Sequence, residues 1–312
     1  LKRILDIDPQ IIACDLHPDY LSTRYAKSLE DVPVVEVQHH HAHIAACMAE
    51  NKADGSVIGL AFDGTGLGMD NTLWGGEVLV ADYAGFTRAA HLESVPMPGS
   101  TAAIREPWRM AVSHLRAAFG EDFDRSALPF GETTEERQVD LLLQMMAKGI
   151  NSPLTSSLGR LFDAVAAMVG LRDRVAFEGQ AAMALEHLAA VEAVAPYPFG
   201  WSEGQTRVID TGAIIRGVCD DVVTRTPPAL IAARFHETLV QGLTDLCVAL
   251  RRETDLDRVA LSGGVFQNVR LLEGLLERLG AAGFTVYAHR QLPTNDGGLS
   301  LGQAVAAAAM LG

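Results

Sequence analysis

A short β-branched run, VPVVEVQ, leads directly into four histidines within five residues, His39, His40, His41 and His43. Such a run reads as a strand, and AHIAACMAE after the histidines reads as a helix, so the imidazoles fall where strand gives way to helix. Ligands gather at the C-terminal ends of strands in open α/β sheets, and this position constrains the chain more than any other feature. His39 and His43 stand four apart and share one helix face, while His40 and His41 point elsewhere. Two imidazoles so spaced can hold one divalent metal, and imidazole suits iron, zinc or nickel. The competing reading of the same residues is a solvated polar turn.

Composition narrows the classes. With 312 residues, 48% of them hydrophobic and 21% charged, the chain can bury a large core and fits two α/β lobes better than one. A formal net charge of -14 repels phosphate backbones and anionic lipid, so no nucleic acid and no membrane is expected as partner. No apolar run approaches the roughly 18 residues that span a bilayer, and the first twenty residues carry acids without a signal-cleavage pattern. Cys14, Cys47, Cys219 and Cys247 form no C-x-x-C pair and lie in apolar stretches, as buried free thiols do. These observations together predict a cytoplasmic protein.

Along the chain, LKRILDI predicts a helix, IIACDL a strand, and VPVVEVQ a strand running into the histidine helix. SVIGLAFDGTGLG and WGGEVLVADYA predict two strands joined by a glycine-rich turn. REPWRMAVSHLRAAF predicts one amphipathic helix, and residues 132–149 a helix capped by Thr133 or Thr134. SSLGRLFDAVAAMVG predicts a helix capped by Ser156 or Ser157, and EGQAAMALEHLAAV another with Gly179 near its start. Residues 196–204 read as a linker, residues 228–251 as a long helix, RVALSGGVFQN as strand, loop and helix, and FTVYAHR as a strand. NDGGLSLGQAVAAAAM closes the chain as a helix. There is no internal repeat or low-complexity tract.

Further candidate residues lie in loops. Asp296, in PTNDGG, can offer a carboxylate from a turn where glycines permit close approach, though Asp before Gly is more often an Asx turn or a cap. FDGTGLG, SGGVFQN and EGQAA are glycine-bearing segments whose backbone can approach anionic groups. Asp163, in GRLFDAVA, is placed to accept ribose hydroxyls. Taken singly, each is an ordinary turn. Two such turns in successive halves of an α/β chain describe an actin-like ATPase design. Arg105, Arg109 and Arg160 are candidate clamps for a phosphate or similar polar group, with helix-surface ion pairs as the alternative.

Together VQHHHAHIAACMAE, LAFDGTGLGMDNTLWGGE, REPWRMAVSHL, TSSLGRLFDAVAAMVGL, FEGQAAMALE, LSGGVFQN and TNDGGLSLGQA resemble the HypF carbamoyltransferase family of nickel-iron hydrogenase maturation. The likeness is to its C-terminal, tRNA-threonylcarbamoyl-synthase-like part, and runs from about Asp15 to Gln303. It implies an ASKHA fold, the acetate kinase, sugar kinase, Hsp70 and actin type, with two ribonuclease-H-like lobes around a nucleotide cleft. Residues 1–57 with 297–312 would form the N-terminal lobe and closing helix, and 58–296 the C-terminal lobe. It implies one divalent metal, iron or zinc, on His39, His43 and Asp296, and a phosphate hairpin at Asp63, Gly64, Thr65 and Gly66. Ribose and base contacts would fall on Asp163, Glu178, Gly179 and Asn268, with Gly263 and Gly264 in the adenine-side loop. The implied reaction passes a carbamoyl group from carbamoyl adenylate, with its AMP moiety as leaving group, to the C-terminal cysteine of HypE, where it becomes the cyanide ligand of the hydrogenase iron.

The acylphosphatase-like, zinc-finger and YrdC-like domains that family members carry upstream are not among these 312 residues, nor is the opening hairpin of the N-terminal lobe recognisable. Adenylate formation by this chain alone is therefore not expected. Rival readings are a threonylcarbamoyl synthase or small-molecule carbamoyltransferase of the same fold, a kinase or ATPase, and a non-catalytic module that only docks HypE. The acidic charge disfavours a tRNA substrate, and paired histidines in place of a catalytic acid disfavour a kinase.

Overall fold

The computed structural model describes residue 4 and residues 6–120, 123–124, 129–130 and 134–312. The chain opens with β1 (Ile12–Asp15), α1 (Leu21–Lys27), β2 (Val34–Val37) and α2 (His39–Glu50). A hairpin-rich stretch follows: β3 (Val57–Leu67), β4 (Leu73–Ala81), β5 (Phe86–Leu92) and β6 (Val95–Pro96). Then come α3 (Thr101–Arg105), α4 (Trp108–Phe119), α5 (Glu136–Ala147), β7 (Leu154–Thr155), α6 (Leu158–Met168) and α7 (Gln180–Leu188). The rest comprises β8 (Arg207–Ile209), α8 (Thr211–Val223), α9 (Pro228–Thr254), β9 (Arg258–Ser262), α10 (Val269–Ala281), β10 (Thr285–Ala288) and α11 (Leu299–Leu311).

The fold is α/β with a mixed sheet. Strands β3, β4 and β5 form an antiparallel meander, and β9 then β10 continue the sheet parallel to β3 on its other edge. β1 and β2 form a separate parallel pair in which Asp15 lies opposite Val37. The run VIGLAF in β3 is buried on both faces, as a central strand must be. Its side chains alternate: Ile58, Leu60 and Phe62 join the large core, while Val57 and Ala61 face Ile44, Cys47 and Met48 of α2. Complete burial of side chains such as Ile44 and Met48 contributes about 1.5–3 kcal/mol each, which fixes α2 against the sheet. Gly59 permits this contact, since a Cβ there would lie 2.7 Å from an Ile44 side-chain carbon.

On its other side α2 packs against α11 through Ala42, Ala45, Leu299, Ala306 and Ala307, with Val37 at the end of β2 in the same cluster. The small residues predicted for the closing helix thus serve a close helix crossing. At Gly302 an added Cβ would lie 1.8 Å from the Ala42 carbonyl oxygen.

Several expectations change in detail. The predicted first helix and Thr133 fall mainly outside the described residues; α5 begins at Glu136, capped by Glu135 rather than Thr134. The predicted REPWRMAVSHLRAAF helix is one helix that begins later, at Trp108 (α4), while Arg105 ends the separate α3, whose ladder Pro107 cannot continue. The glycine segment 64–67 is not the turn between β3 and β4. It belongs to β3 itself, where the pairing register shifts between Phe62 and Gly66, and the reversal follows at residues 68–72. Residues 196–204 do not form a loose linker, since Tyr197 is buried and bonds Asp221 at 2.6 Å, while its backbone N–H donates to Thr238.

Because no volume is free at the α2–α11 crossing, Gly302→Ala should destabilise the chain by about 1–3 kcal/mol despite the better helix propensity of alanine. Urea unfolding measures this; an unshifted midpoint would contradict the close crossing.

Candidate metal centre and nucleotide cleft

The histidine helix is set by its cap. Gln38 Oε1 accepts the His41 backbone N–H, and its Nε2 donates to the Leu67 carbonyl of β3, so the first turn of α2 is tied to the glycine-bearing strand. His39 and His43 then project from one face towards Asp63 and Asp296. The two Nε2 atoms lie 3.2 and 3.3 Å from Asp63 Oδ2, and each lies 3.6 Å from Asp296 Oδ1. One donor atom from each of the four residues falls within 4.8 Å of the others. His40 and His41 point away: His40 packs near Trp74, and His41 donates from Nε2 to the Asp82 carbonyl.

Asp63 was expected at the phosphate hairpin, and the structure gives it a second position as a member of this cluster. Its Oδ1 accepts the backbone N–H of Gly64 and of Gly264, so one carboxylate joins both glycine segments to the histidine pair. Asp15, absent from the sequence-derived site, accepts from His39 Nδ1 at 2.8 Å and leaves Nε2 free to face the cluster. The signal that could have found Asp15 is its place at the end of the first strand, in CDLHPDY, parallel to the strand that feeds the histidines.

Electrostatics bind the cluster together. Burial opposes charge on His39, but hydrogen bonds to Asp15, Asp296 and Asp63 outweigh it and hold the imidazole well above its ordinary pKa. His43 is raised in the same way, against burial, by Asp296 and Asp63. Burial would raise Asp63, yet the histidines hold it well below the usual carboxylate range, and hydrogen bonds from both histidines lower Asp296 further than its burial can raise it. Two imidazole nitrogens and two carboxylate oxygens are a donor set that iron and zinc accept, and a divalent cation can replace the two protons at equal charge.

The cluster opens onto a cavity of about 850 Å³. Asp63, Gly64, Thr65, Asp163, Glu178, Gly179, Gly264 and Asn268 line it, as does Asp296. Helix α6 points its N-terminus at the glycine segment: Ser157 caps it by accepting from Arg160 N, and Ser157 Oγ lies 2.6 Å from the Asp63 carbonyl. A Cβ on Gly159 would sit 3.0 Å from Gly64 Cα, so backbone meets backbone there. A helix N-terminus beside open glycine backbone suits an anionic group. Asp163, buried on α6, is pushed up to about 6 by burial, against the pull of Arg160 at 3.1 Å and with the help of Glu178.

Other expected positions move. Gly66 does not line the cavity; a Cβ there would strike the His40 and His39 rings, so its role is to let them lie on β3. Gly263 also lies outside, its φ of 110° and its closeness to the Phe62 carbonyl marking a tight backbone crossing. Asn268 caps α10 through Leu271 N and sits 3.0 Å from His236 Nε2, a buried partner that sequence reasoning missed. Among the candidate clamps only Arg160 lines the cavity. Arg105 is exposed at the end of α3, and Arg109 bonds Glu106 and lies over Trp108.

Comparison with known proteins agrees with this architecture. Residues 59–303 match the family model of the carbamoyltransferase Kae1-like domain, second subdomain, and residues 1–50 match that of the HypF Kae1-like domain. The chain therefore belongs to the HypF Kae1-like domain family. It is 42% identical to carbamoyltransferase HypF2 of Cupriavidus necator, over 97% of this chain and 40% of that protein. It is 40% identical to a carbamoyltransferase HypF homolog of the same organism, over 96% of this chain and 78% of that one. A crystal structure of full-length HypF in the phosphate- and nucleotide-bound form superposes with a TM-score of 0.94 at 45% identity, covering 99% of this chain and 48% of that one. The chain thus spans about two-fifths of the length of HypF2. Among the described residues no helix is long and apolar enough to cross a membrane.

The raised pKa of Asp163 gives a signed expectation. The folded state holds this proton more tightly than the unfolded chain does, so wild type loses stability as pH rises from about 4 to about 6. Asp163→Asn should gain on wild type across that window, by up to about 3 kcal/mol, and hold the difference above it. Denaturant titrations at several pH values give the comparison, and a constant difference from pH 4 to 7 would contradict the buried, proton-binding carboxyl.

Proposed function

We propose that this chain transfers a carbamoyl group from carbamoyl adenylate to the C-terminal cysteine of HypE, the step that leads to the cyanide ligand in hydrogenase maturation. The observation that carries the reading is the meeting of His39, His43, Asp63 and Asp296 at the floor of a cleft walled by two glycine segments and the N-terminus of α6. The antiparallel meander β5–β4–β3 followed by parallel β9 and β10 supports a ribonuclease-H-like lobe of the ASKHA type. The packing of β1, β2 and α11 with α2 supports assigning residues 1–57 and 297–312 to its companion lobe.

In this reading the AMP moiety lies along the cavity. Gly64 and Thr65 with the first turn of α6 face its phosphate, and Asp163 accepts from the ribose hydroxyls. Gly179 and Asn268 lie against nucleoside atoms, and Glu178 borders the same wall. Arg160, paired with Asp163, offers positive charge at that wall. The nucleophile comes from the partner: its thiolate forms a C–S bond to the carbamoyl carbon, the C–O bond to the phosphate breaks, and AMP leaves with the electron pair. No cysteine of this chain is required, and all four are buried free thiols. A divalent ion held by His39, His43, Asp296 and Asp63 would supply Lewis acidity towards the carbamoyl or phosphate oxygen. Asp15 orients His39 for that ligand set, and Asp63 couples it to both glycine segments.

The direct test incubates the chain with carbamoyl adenylate and a peptide ending in the HypE cysteine, then weighs the peptide. Wild type should add one carbamoyl group. The double variant His39→Ala, His43→Ala should keep its fold, lose bound metal and slow transfer by a factor on the order of 100 or more. Equal metal content in the two proteins would refute the assignment.

A gentler variant checks the carboxylate behind His39. Asp15→Ala should weaken metal binding about 10–100-fold without unfolding the chain, because it removes the acceptor that fixes the His39 ring. Unchanged affinity in a competition titration would show that Asp15 plays no such part.

A further inference from the structure

Behind the cleft three buried side chains form a continuous line of hydrogen bonds. Ser262 Oγ lies 2.8 Å from His289 Nε2, and His289 Nδ1 lies 2.7 Å from Glu50 Oε2. Ser262 is fully buried, and the His289 and Glu50 side chains are 4% and 7% exposed. Burial holds the His289 imidazole below its ordinary pKa in spite of Glu50. A neutral ring can therefore donate from Nδ1 to the carboxylate and accept the serine hydroxyl at Nε2. The other Glu50 oxygen accepts the backbone N–H groups of Arg290 at 2.7 Å and Gln291 at 2.6 Å.

The atoms are those of a serine hydrolase triad, but the surroundings are not. The hydroxyl is sealed from the cavity. The amides next to it are already engaged, Gly263 with the Thr294 carbonyl and Gly264 with Asp63, so neither is free to serve an oxyanion.

What the three residues join is every element that brings a donor to the metal cluster. Glu50 ends α2, the helix of His39 and His43. Ser262 ends β9 and pairs with Ala61 of β3, two residues before Asp63. His289 to Gln291 begin the loop that delivers Asp296. The Asp296 side chain is 64% exposed, against 0% and 1% for the two histidines, so packing does little to place it. Its position is inherited from the loop. That loop is pinned at its start by Glu50, and near its end by two bonds of 3.0 Å between Thr294 and Gly263.

We propose that Glu50, His289 and Ser262 are positioning residues that hold Asp296 over the histidine pair and thereby set the affinity of the centre for a divalent cation. The proposal rests on the metal-centre reading above and adds to it a structural determinant on the far side of the loop. Zinc titration of the full chain, stripped of metal and read against a chromophoric chelator, tests both. AMP binding and thermal unfolding are followed in the same samples.

Wild type should bind one zinc ion. Glu50→Ala should bind it about tenfold more weakly or worse, with AMP affinity unchanged. Glu50→Gln should recover most of the loss, since its carbonyl oxygen can still accept the Arg290 and Gln291 amides. In an Asp296→Ala background Glu50→Ala should cost nothing further, as expected for two residues acting through one ligand. Should Glu50→Ala fail to fold, Ser262→Ala removes only one hydroxyl and should weaken zinc in the same direction. Zinc affinity equal to wild type in Glu50→Ala or Ser262→Ala, or full additivity with Asp296→Ala, would overturn the positioning role alone. A wild-type chain that binds no zinc would overturn the metal-centre reading and the proposal with it.

Discussion

Two imidazoles and two carboxylates brought together in a mostly buried place are the arrangement on which the rest of this structure depends. Each charge would be costly there alone, and each is tolerable because the others face it. The cluster asks for close backbone approach wherever a helix or loop comes near. Gly59 and Gly66 let α2 and its histidines lie on β3, Gly302 lets α11 lie on α2, and Gly159 lets α6 reach Gly64. The glycines of this chain are read more usefully as permits for approach than as loop markers.

One helix relates the ligands. α2 carries His39 and His43 at its start and Glu50 at its end, so the element that offers imidazole also anchors the loop carrying Asp296. Asp63 works in both directions, with one oxygen towards the histidines and the other on the glycine amides that border the cleft. A ligand in the cavity and a cation in the cluster would therefore meet across a single carboxylate, where the proposed acyl transfer from an adenylate would take place.

Much of this was legible in the residues. The i, i+4 histidines after a β-branched run, the strand β3 and the Ala-rich closing helix follow from residue pattern and composition, and the structure brings His39, His43 and Asp296 together. What was not legible is what depends on register and on long-range pairing. The place of Asp15 follows from strand pairing opposite Val37, which no local pattern states. The double duty of Asp63 follows from a register shift inside β3, where the sequence suggested a turn. That Arg105 and Arg109 do not line the cavity depends on the tertiary placement of their helices, which residue type alone does not state. Glu50 and His289 are 239 positions apart and carry no motif.

The central claim is that these four side chains bind one ion between them, and the metal-edge absorption spectrum and anomalous diffraction of metal-loaded crystals address it directly. The account predicts one ion bonded to both His39 and His43 through Nε2 at roughly 2.0–2.1 Å, with carboxylate oxygens of Asp63 and Asp296 completing the set at roughly 2.0–2.2 Å. An ion bound elsewhere, or crystals grown with excess zinc or iron that show no anomalous peak between the histidines, would contradict it.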